Sequence, residues 1–143
     1  MAVANISDVC FEHIQDNYWY AAYGPFKVVM MEDSGYINAS KMCTSAGKVF
    51  KEWFRNKAAK ELVQAFERRH YKTSNGGIPS LVLNTEEAFK TIFTGKRTEV
   101  DCIISGTYCH PDLIPHIACW ISPEFALKVG KIVNAYIVWE YKS

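Results

Sequence analysis

Five side chains able to ligate a metal stand between positions 102 and 119: Cys102, Cys109, His110, His116 and Cys119. Tetrahedral zinc takes four such ligands, usually delivered as closely spaced pairs. Here the intervals are Cys-x6-Cys, His-x5-His and His-x2-Cys, a combination that matches no common zinc finger. Ile117 and Trp120 read as core around His116 and Cys119, so the expectation is packing, with no metal and no cofactor. Cys109 and His116 can be drawn as a nucleophile pair, but a chain with five cysteines and four histidines always offers such pairs. GxSxG, GxxxxGK[ST], HExxH and GxGxxG are all absent. The acids form no cluster suited to two-metal phosphoryl transfer. A nuclease built from distant carboxylates stays open as a third option, yet the expectation is that the chain is not an enzyme.

What the sequence does concentrate is positive charge. Lys41, Lys48, Lys51, Arg55, Lys57, Lys60, Arg68, Arg69 and Lys72 face only three acids in the same stretch, Glu52, Glu61 and Glu67. The segment before Lys41 holds one lysine and five acids. A net charge of +1 conceals this asymmetry, and a polyanion responds to the local field. Lysine and arginine neutralise phosphates and release counterions, so such a face implies salt-sensitive binding with low to modest sequence specificity. Each base also has a plainer role. Lys48, Lys51 and Arg55 flank an aromatic ridge and could simply be solvated. Lys57 has Glu61 four positions on. Arg68, Arg69 and Lys72 end a helix, where bases suit the macrodipole. Lys96 and Arg97 lie in a turn that could be a wing tip. Asn38 has the amide that pairs with adenine, but its place before a helix favours a cap.

The elements that must carry these residues read as α+β. Residues 5–15 suggest a short helix or an irregular lead-in. Tyr18–Tyr23 and Phe26–Met31 read as strands about a Gly24-Pro25 turn, and Tyr36-Ile37 continues as a short strand after the 32–35 turn. Asn38 or Ser40 can cap a helix that Gly47 stops. Phe50, Trp53 and Phe54 mark one helix face, and Ala59, Leu62, Val63 and Phe66 the next. Residues 74–77 are the clearest loop, and 80–83 look extended. Thr85 suggests a helix to about Phe93, and Val100–Ile104 and Thr107-Tyr108 suggest short strands. Asp112 can cap a helix that tolerates Pro115. Ser122-Pro123 starts a last helix whose core side is Phe125, Val129, Ile132, Val133, Tyr136 and Ile137. Trp53, Trp120 and Trp139 read as core, whereas Trp19 on the aromatic hairpin could face a partner.

At 143 residues the simplest organisation is one domain over 1–143. Hydrophobic residues at 49% exclude a disordered chain, and no apolar run suffices for a membrane span. The N-terminus lacks a signal-peptide pattern and the cysteines show no disulfide framework, which points away from export.

Two segments resemble a known family. Tyr36-Ile-Asn-Ala-Ser-Lys-Met-Cys43, followed by Gly47-Lys48 and Phe50-Lys-Glu-Trp53-Phe-Arg-Asn56, is similar to the first signature of the KilA-N domain. Gly106-Thr-Tyr-Cys-His-Pro-Asp-Leu113, followed by Ala118-Cys-Trp120-Ile-Ser-Pro123, is similar to the second. Met42 replaces a common leucine and Cys109 a common valine, which marks Cys109 as a packing residue. The resemblance covers about 18–137. It implies a protein of a large DNA virus, poxvirus-like, with a winged-helix-like fold related to the APSES DNA-binding domain. It also implies binding of duplex DNA, with single strands or RNA as lesser options, inside the infected cell in cytoplasm or nucleus. A homodimer is compatible, because one small domain makes few phosphate contacts. Some poxviral members add a RING finger with ubiquitin-ligase activity; no RING-type Cys/His array occurs in these residues, so that activity is not carried over. The rival is a protein-interaction adaptor that uses the aromatic hairpin or the acidic N-terminal segment.

Overall fold

Gly24 takes a positive φ of 56° and turns the chain between β2 (Tyr18–Tyr23) and β3 (Phe26–Met31), as the Gly-Pro signal predicts. The two strands pair antiparallel from Tyr18↔Met31 to Tyr23↔Phe26. With β1 (Cys10–Gln15), β4 (Ile37–Asn38), β5 (Phe89–Ile92) and β6 (Gly106–Cys109) they form a six-stranded antiparallel sheet ordered β1-β2-β3-β4-β6-β5. The computed structural model describes residues 9–75 and 87–142, with the side chains at 70–75 and 139–142 outside it. Gly76-Gly77, the expected extended segment at 80–83 and the side chain of Lys72 lie outside the described residues, as do the start of the helix expected from Thr85 and the indole of Trp139.

Along β3 the alternating residues serve two cores, as a period of two requires. Val28 and Met30 join Ile37, Met42, Cys43, Trp53, Val63, Phe66, Cys109 and Ile117 on the main side. Val29 and Met31 join Tyr36 and Tyr108 on the other side, with Ile103 packed against them. The main side is covered by α1 (Ala39–Ser45), α2 (Phe50–Arg55), α3 (Lys57–Asn75) and α5 (Ile114–Ile121). A shorter helix, α4 (Glu99–Ile104), carries Ile103. The last helix, α6 (Pro123–Lys142), starts on a Ser122 cap whose hydroxyl accepts from the Phe125 N–H at 3.1 Å. Its Phe125 ring packs against Tyr23 and Phe26, with centroids 6.1 and 5.5 Å away.

Several local expectations are corrected. Cys10–Gln15 is strand β1, paired with β2 across a tight Asp16-Asn17 turn, not a helix or an irregular lead-in. Asp16 takes φ 52°, a left-handed conformation that aspartate tolerates better than most side chains. Phe89–Ile92 is β5, pairing Phe89↔Cys109 through Ile92↔Gly106, where a helix was expected. The ladder of β6 (Gly106–Cys109) supplies backbone partners that override the local helix signals. Residues 100–104 are helical rather than strand because Thr98 caps α4, accepting from the Asp101 N–H, with Glu99 and Asp101 in its first turn. Helix α3 extends through Ser74 and Asn75, which were expected in a loop. Asp112 is not the cap of α5; that position is Leu113, and the Asp112 N–H donates to His110 Nδ1 at 3.0 Å. On α6 the expected core side fails after Val129: Ile132, Val133, Tyr136 and Ile137 are exposed. Among the described residues no helix is long and apolar enough to cross a membrane.

Candidate nucleic-acid interface

The first signature builds a corner. β4 (Ile37–Asn38) runs straight into α1, and Asn38 sits at the junction, fully buried. Its Oδ1 accepts from the Lys41 N–H at 3.0 Å, and its Nδ2 donates to the Ser105 carbonyl at 3.0 Å. Both ends of the amide are used internally, so Asn38 is a cap and a tie between segments, not a reader of bases. The cap leaves Lys41 exposed in the first turn of α1.

Helix α2 is oriented by its aromatic face. Phe50 stacks on Trp53 at 5.7 Å, and Phe50 and Phe54 meet Phe89 of β5 edge-on at 5.9 and 5.3 Å. Trp53 is buried. With that face locked to the sheet edge, Lys51 and Arg55, one helical turn apart, are both exposed. Asn56 breaks the chain between helices and caps α3 through the Ala58 N–H at 3.0 Å. Ala59, Val63 and Phe66 bury the inner stripe of α3, which leaves Lys57, Lys60, Arg68 and Arg69 exposed. Glu61 and Glu67 share that outer surface, and Glu61 lies 3.9 Å from Lys57 across an exposed pair. Such a pair contributes little and is readily exchanged for a phosphate.

Lys48 stands apart from the other bases. Its half-buried ammonium donates to the Trp120 carbonyl at 3.1 Å and lies 4.5 Å from the centre of the Trp120 ring. Gly47, at φ 75°, ends α1 so that the Lys48 N–H can return to the Cys43 carbonyl at 2.9 Å. These contacts clasp α1 to the end of α5. The half-buried Trp120 is therefore the floor of a lysine contact rather than core throughout.

The turn after β5 contributes the remaining bases. Lys96 and Arg97 are exposed there, just ahead of the Thr98 cap, with Gly95 at φ 76°. Phe93 at the start of the turn is 85% exposed, the most exposed large apolar side chain described. Sequence reasoning placed it at the end of a helix and missed it; its closeness to Gly95-Lys96-Arg97 was the available signal. The turn follows β5, whose Phe89 packs on α2, and leads into α4; an open groove of about 490 Å³ lies between α1 and α4, lined by Lys27, Lys41 and Glu99 among others. Lys41, Lys51, Arg55, Lys96 and Arg97 are thus all exposed, on α1, on α2 and on the turn before α4.

The cysteine and histidine cluster is dispersed. Cys109 and His110 are buried, Cys119 is half-buried, and Cys102 and His116 are exposed. His110 packs its ring 4.8 Å from Phe66 and 5.3 Å from Tyr36. Among the described residues no three His, Cys, Asp or Glu side chains are placed to hold a metal. Burial pushes the Cys43 thiol up to about 11 and the Cys109 thiol further, the behaviour of packing cysteines rather than nucleophiles.

Comparison with known proteins gives a consistent result. The KilA-N domain family matches residues 21–138. The chain is 40% identical over 132 residues to a putative KilA-N domain-containing protein, L4, of Acanthamoeba polyphaga mimivirus, covering 92% of this chain and 26% of that protein. It is 32% identical over 141 residues to putative KilA-N domain-containing protein 313L of Invertebrate iridescent virus 6, covering 99% of this chain and 37% of that one. It is also 31% identical over 136 residues to the uncharacterized protein FPV248 of Fowlpox virus (strain NVSL), covering 94% of this chain and 82% of that protein. The chain therefore spans well under half the length of these mimivirus and iridescent-virus relatives. No solved structure shows a significant match. With both signatures located on one antiparallel sheet and its covering helices, and with relatives in three large DNA viruses, this chain belongs to the KilA-N domain family.

Proposed function

We propose that this chain is a DNA-binding module that holds duplex DNA mainly through its phosphates. The observation that carries the proposal is the arrangement of α2 and the start of α3. An aromatic face locks α2 to β5, while Lys51, Arg55, Lys57 and Lys60 are left exposed on consecutive turns. Lys41, exposed on α1, and Lys96 and Arg97, exposed on the turn before α4, are further candidate contacts, and Arg68 and Arg69 continue the exposed bases along α3. Membership of the KilA-N family supports the same reading. The Asn38 amide is buried and used internally, which favours affinity resting on phosphates with low to modest sequence specificity. Viral relatives favour action inside the infected cell, where viral DNA is copied.

The test is a fluorescence-anisotropy titration of duplex DNA with wild type and a Lys51/Arg55/Lys57/Lys60→Ala variant whose folding is verified by circular dichroism. Loss of most affinity in the folded variant supports the proposal. Equal binding by the variant refutes the assignment to α2 and α3.

The adaptor reading keeps one specific observation. Phe11 on edge strand β1 is 54% exposed and stacks on Tyr20, with the Lys27 ammonium 4.1 Å from the Tyr20 ring centre. Binding of a protein with no DNA affinity at low salt would favour that reading.

A further inference from the structure

The groove of about 490 Å³ between α1 and α4 has the size of a small-molecule site. Lys41 lines it from α1 and Glu99 from α4. Both are exposed, and neither the Lys41 ammonium nor the Glu99 carboxylate has an ion pair or hydrogen bond among the described residues. Lys27 supplies a second cation from β3, its ammonium held 4.1 Å from the centre of the Tyr20 ring and 5.8 Å from that of Phe11. Buried Val28, Val29 and Met42 and half-buried Ile103 give the same groove an apolar lining. Two cations, one carboxylate and an apolar lining therefore share one concave surface.

Resting on the DNA-binding reading, we propose that this groove takes one unpaired guanine nucleotide of a DNA strand, with its phosphate on Lys27 and Lys41, its ring on the apolar lining and its Watson–Crick edge on Glu99. Charge decides the class of ligand. A ligand that is only anionic, such as an acidic peptide, satisfies the lysines but meets the Glu99 carboxylate with like charge. A nucleotide carries its negative charge at one end and hydrogen-bond donors at the other, with a flat apolar surface between them. That order matches lysines, apolar lining and carboxylate, and Lys41 is already a candidate phosphate contact. Base chemistry then decides which nucleotide. Guanine carries N1–H and N2–H side by side, a donor pair that suits the two oxygens of a carboxylate. Adenine and cytosine place an acceptor nitrogen beside their amine, and thymine sets its one N–H between two carbonyls, so each turns an acceptor toward Glu99. In a base pair that edge of guanine is occupied by cytosine, so only an unpaired guanine presents it. The groove thus supplies a base selectivity that the buried Asn38 amide cannot.

The experiment is fluorescence anisotropy with the full 143-residue chain and labelled duplexes of one sequence, either fully paired or with a single extra guanine, hypoxanthine or thymine nucleotide bulged from one strand. The proposal predicts that the guanine bulge binds roughly 5- to 150-fold tighter than the thymine bulge, the discrimination of a good bidentate contact. The hypoxanthine bulge, which lacks the N2 amine, falls between them. Glu99→Gln removes one acceptor and brings the guanine-to-thymine ratio close to one, whereas Lys27→Ala weakens every bulged duplex and leaves that ratio standing. Reading a ratio cancels the general gain in DNA affinity that follows the loss of an acid, and circular dichroism checks that both variants fold. Binding of the paired duplex with no preference for the guanine bulge overturns the proposal and leaves the DNA-binding reading in place. No binding of any duplex at low salt overturns both. A guanine preference that survives Glu99→Gln also overturns the proposal.

Discussion

Replacing Asn38 with alanine tests the corner on which the first signature depends. The side chain is fully buried and makes two hydrogen bonds of 3.0 Å, one capping α1 at Lys41 and one to the Ser105 carbonyl. Losing the cap costs about 1 kcal/mol. Leaving the Ser105 carbonyl without its donor adds about 1–3 kcal/mol. The expected loss is therefore about 3 kcal/mol, or roughly 10 °C in Tm for a domain of this size. Urea unfolding followed by circular dichroism reads it directly. Asn38→Asp separates the two bonds. Aspartate keeps the acceptor for Lys41 but sets a buried carboxylate against the Ser105 carbonyl, so its folded pKa rises above the unfolded value of about 3.9. A raised pKa means that stability is fully present below the unfolded value and is lost as pH rises through the folded one. Asn38→Asp should thus be weak at neutral pH and recover in mild acid, where the protonated carboxyl regains a donor. An Asn38→Ala variant as stable as wild type, within the scatter of an ordinary surface substitution, or an Asn38→Asp variant with no such recovery, would refute the reasoning.

Other outcomes follow from the same geometry. Gly106→Ala places a Cβ 2.6 Å from Asn38 Oδ1 at a φ of 142°. It should destabilise by more than about 2 kcal/mol in urea unfolding. Thr98→Ala should cost about 1 kcal/mol through the lost cap of α4. The Thr98 hydroxyl, with smaller help from Thr94 and Lys96, holds the Asp101 carboxyl below its ordinary value. A depressed pKa gives stability that is present above the unfolded value and lost as pH falls through the folded one, so the gap between wild type and Thr98→Ala in thermal melts should narrow in acid. Phe93→Ala should leave urea-unfolding stability within the ordinary range of a surface substitution, because its ring is 85% exposed.

Much of this was legible locally. The β2–β3 hairpin follows from Gly24-Pro25 and flanking β-formers. The cap at Asn38, the stop at Gly47 and the inner stripe of α3 follow from residue type and spacing. The segments that misled are those whose state is set by distant partners. Phe89–Ile92 is a strand because β6 offers it a ladder, and Val100–Ile104 is a helix because Thr98 caps it against its β-branched content. Periodicity marked the apolar side of α6 but could not say whether that side meets its own domain; Phe125 packs against the core, Val129 is half-buried, and the described residues of that side beyond it are exposed. Among the candidate bases, spacing gave no hint that Lys48 reaches forward to Trp120, because that contact joins positions far apart in the chain. Phe93 escaped notice for a related reason, since an aromatic at the end of an apolar run reads as core until the fold exposes it.

The salt dependence of DNA affinity tests the central claim most directly. Each phosphate neutralised contributes about −0.9 to the slope of log K against log salt. With Lys51, Arg55, Lys57 and Lys60 all engaged, wild type should show a slope of about −4 or steeper, and the variant lacking these four bases should lose about 3.6 of it. A slope near zero, or one the variant leaves unchanged, would contradict phosphate binding by this face.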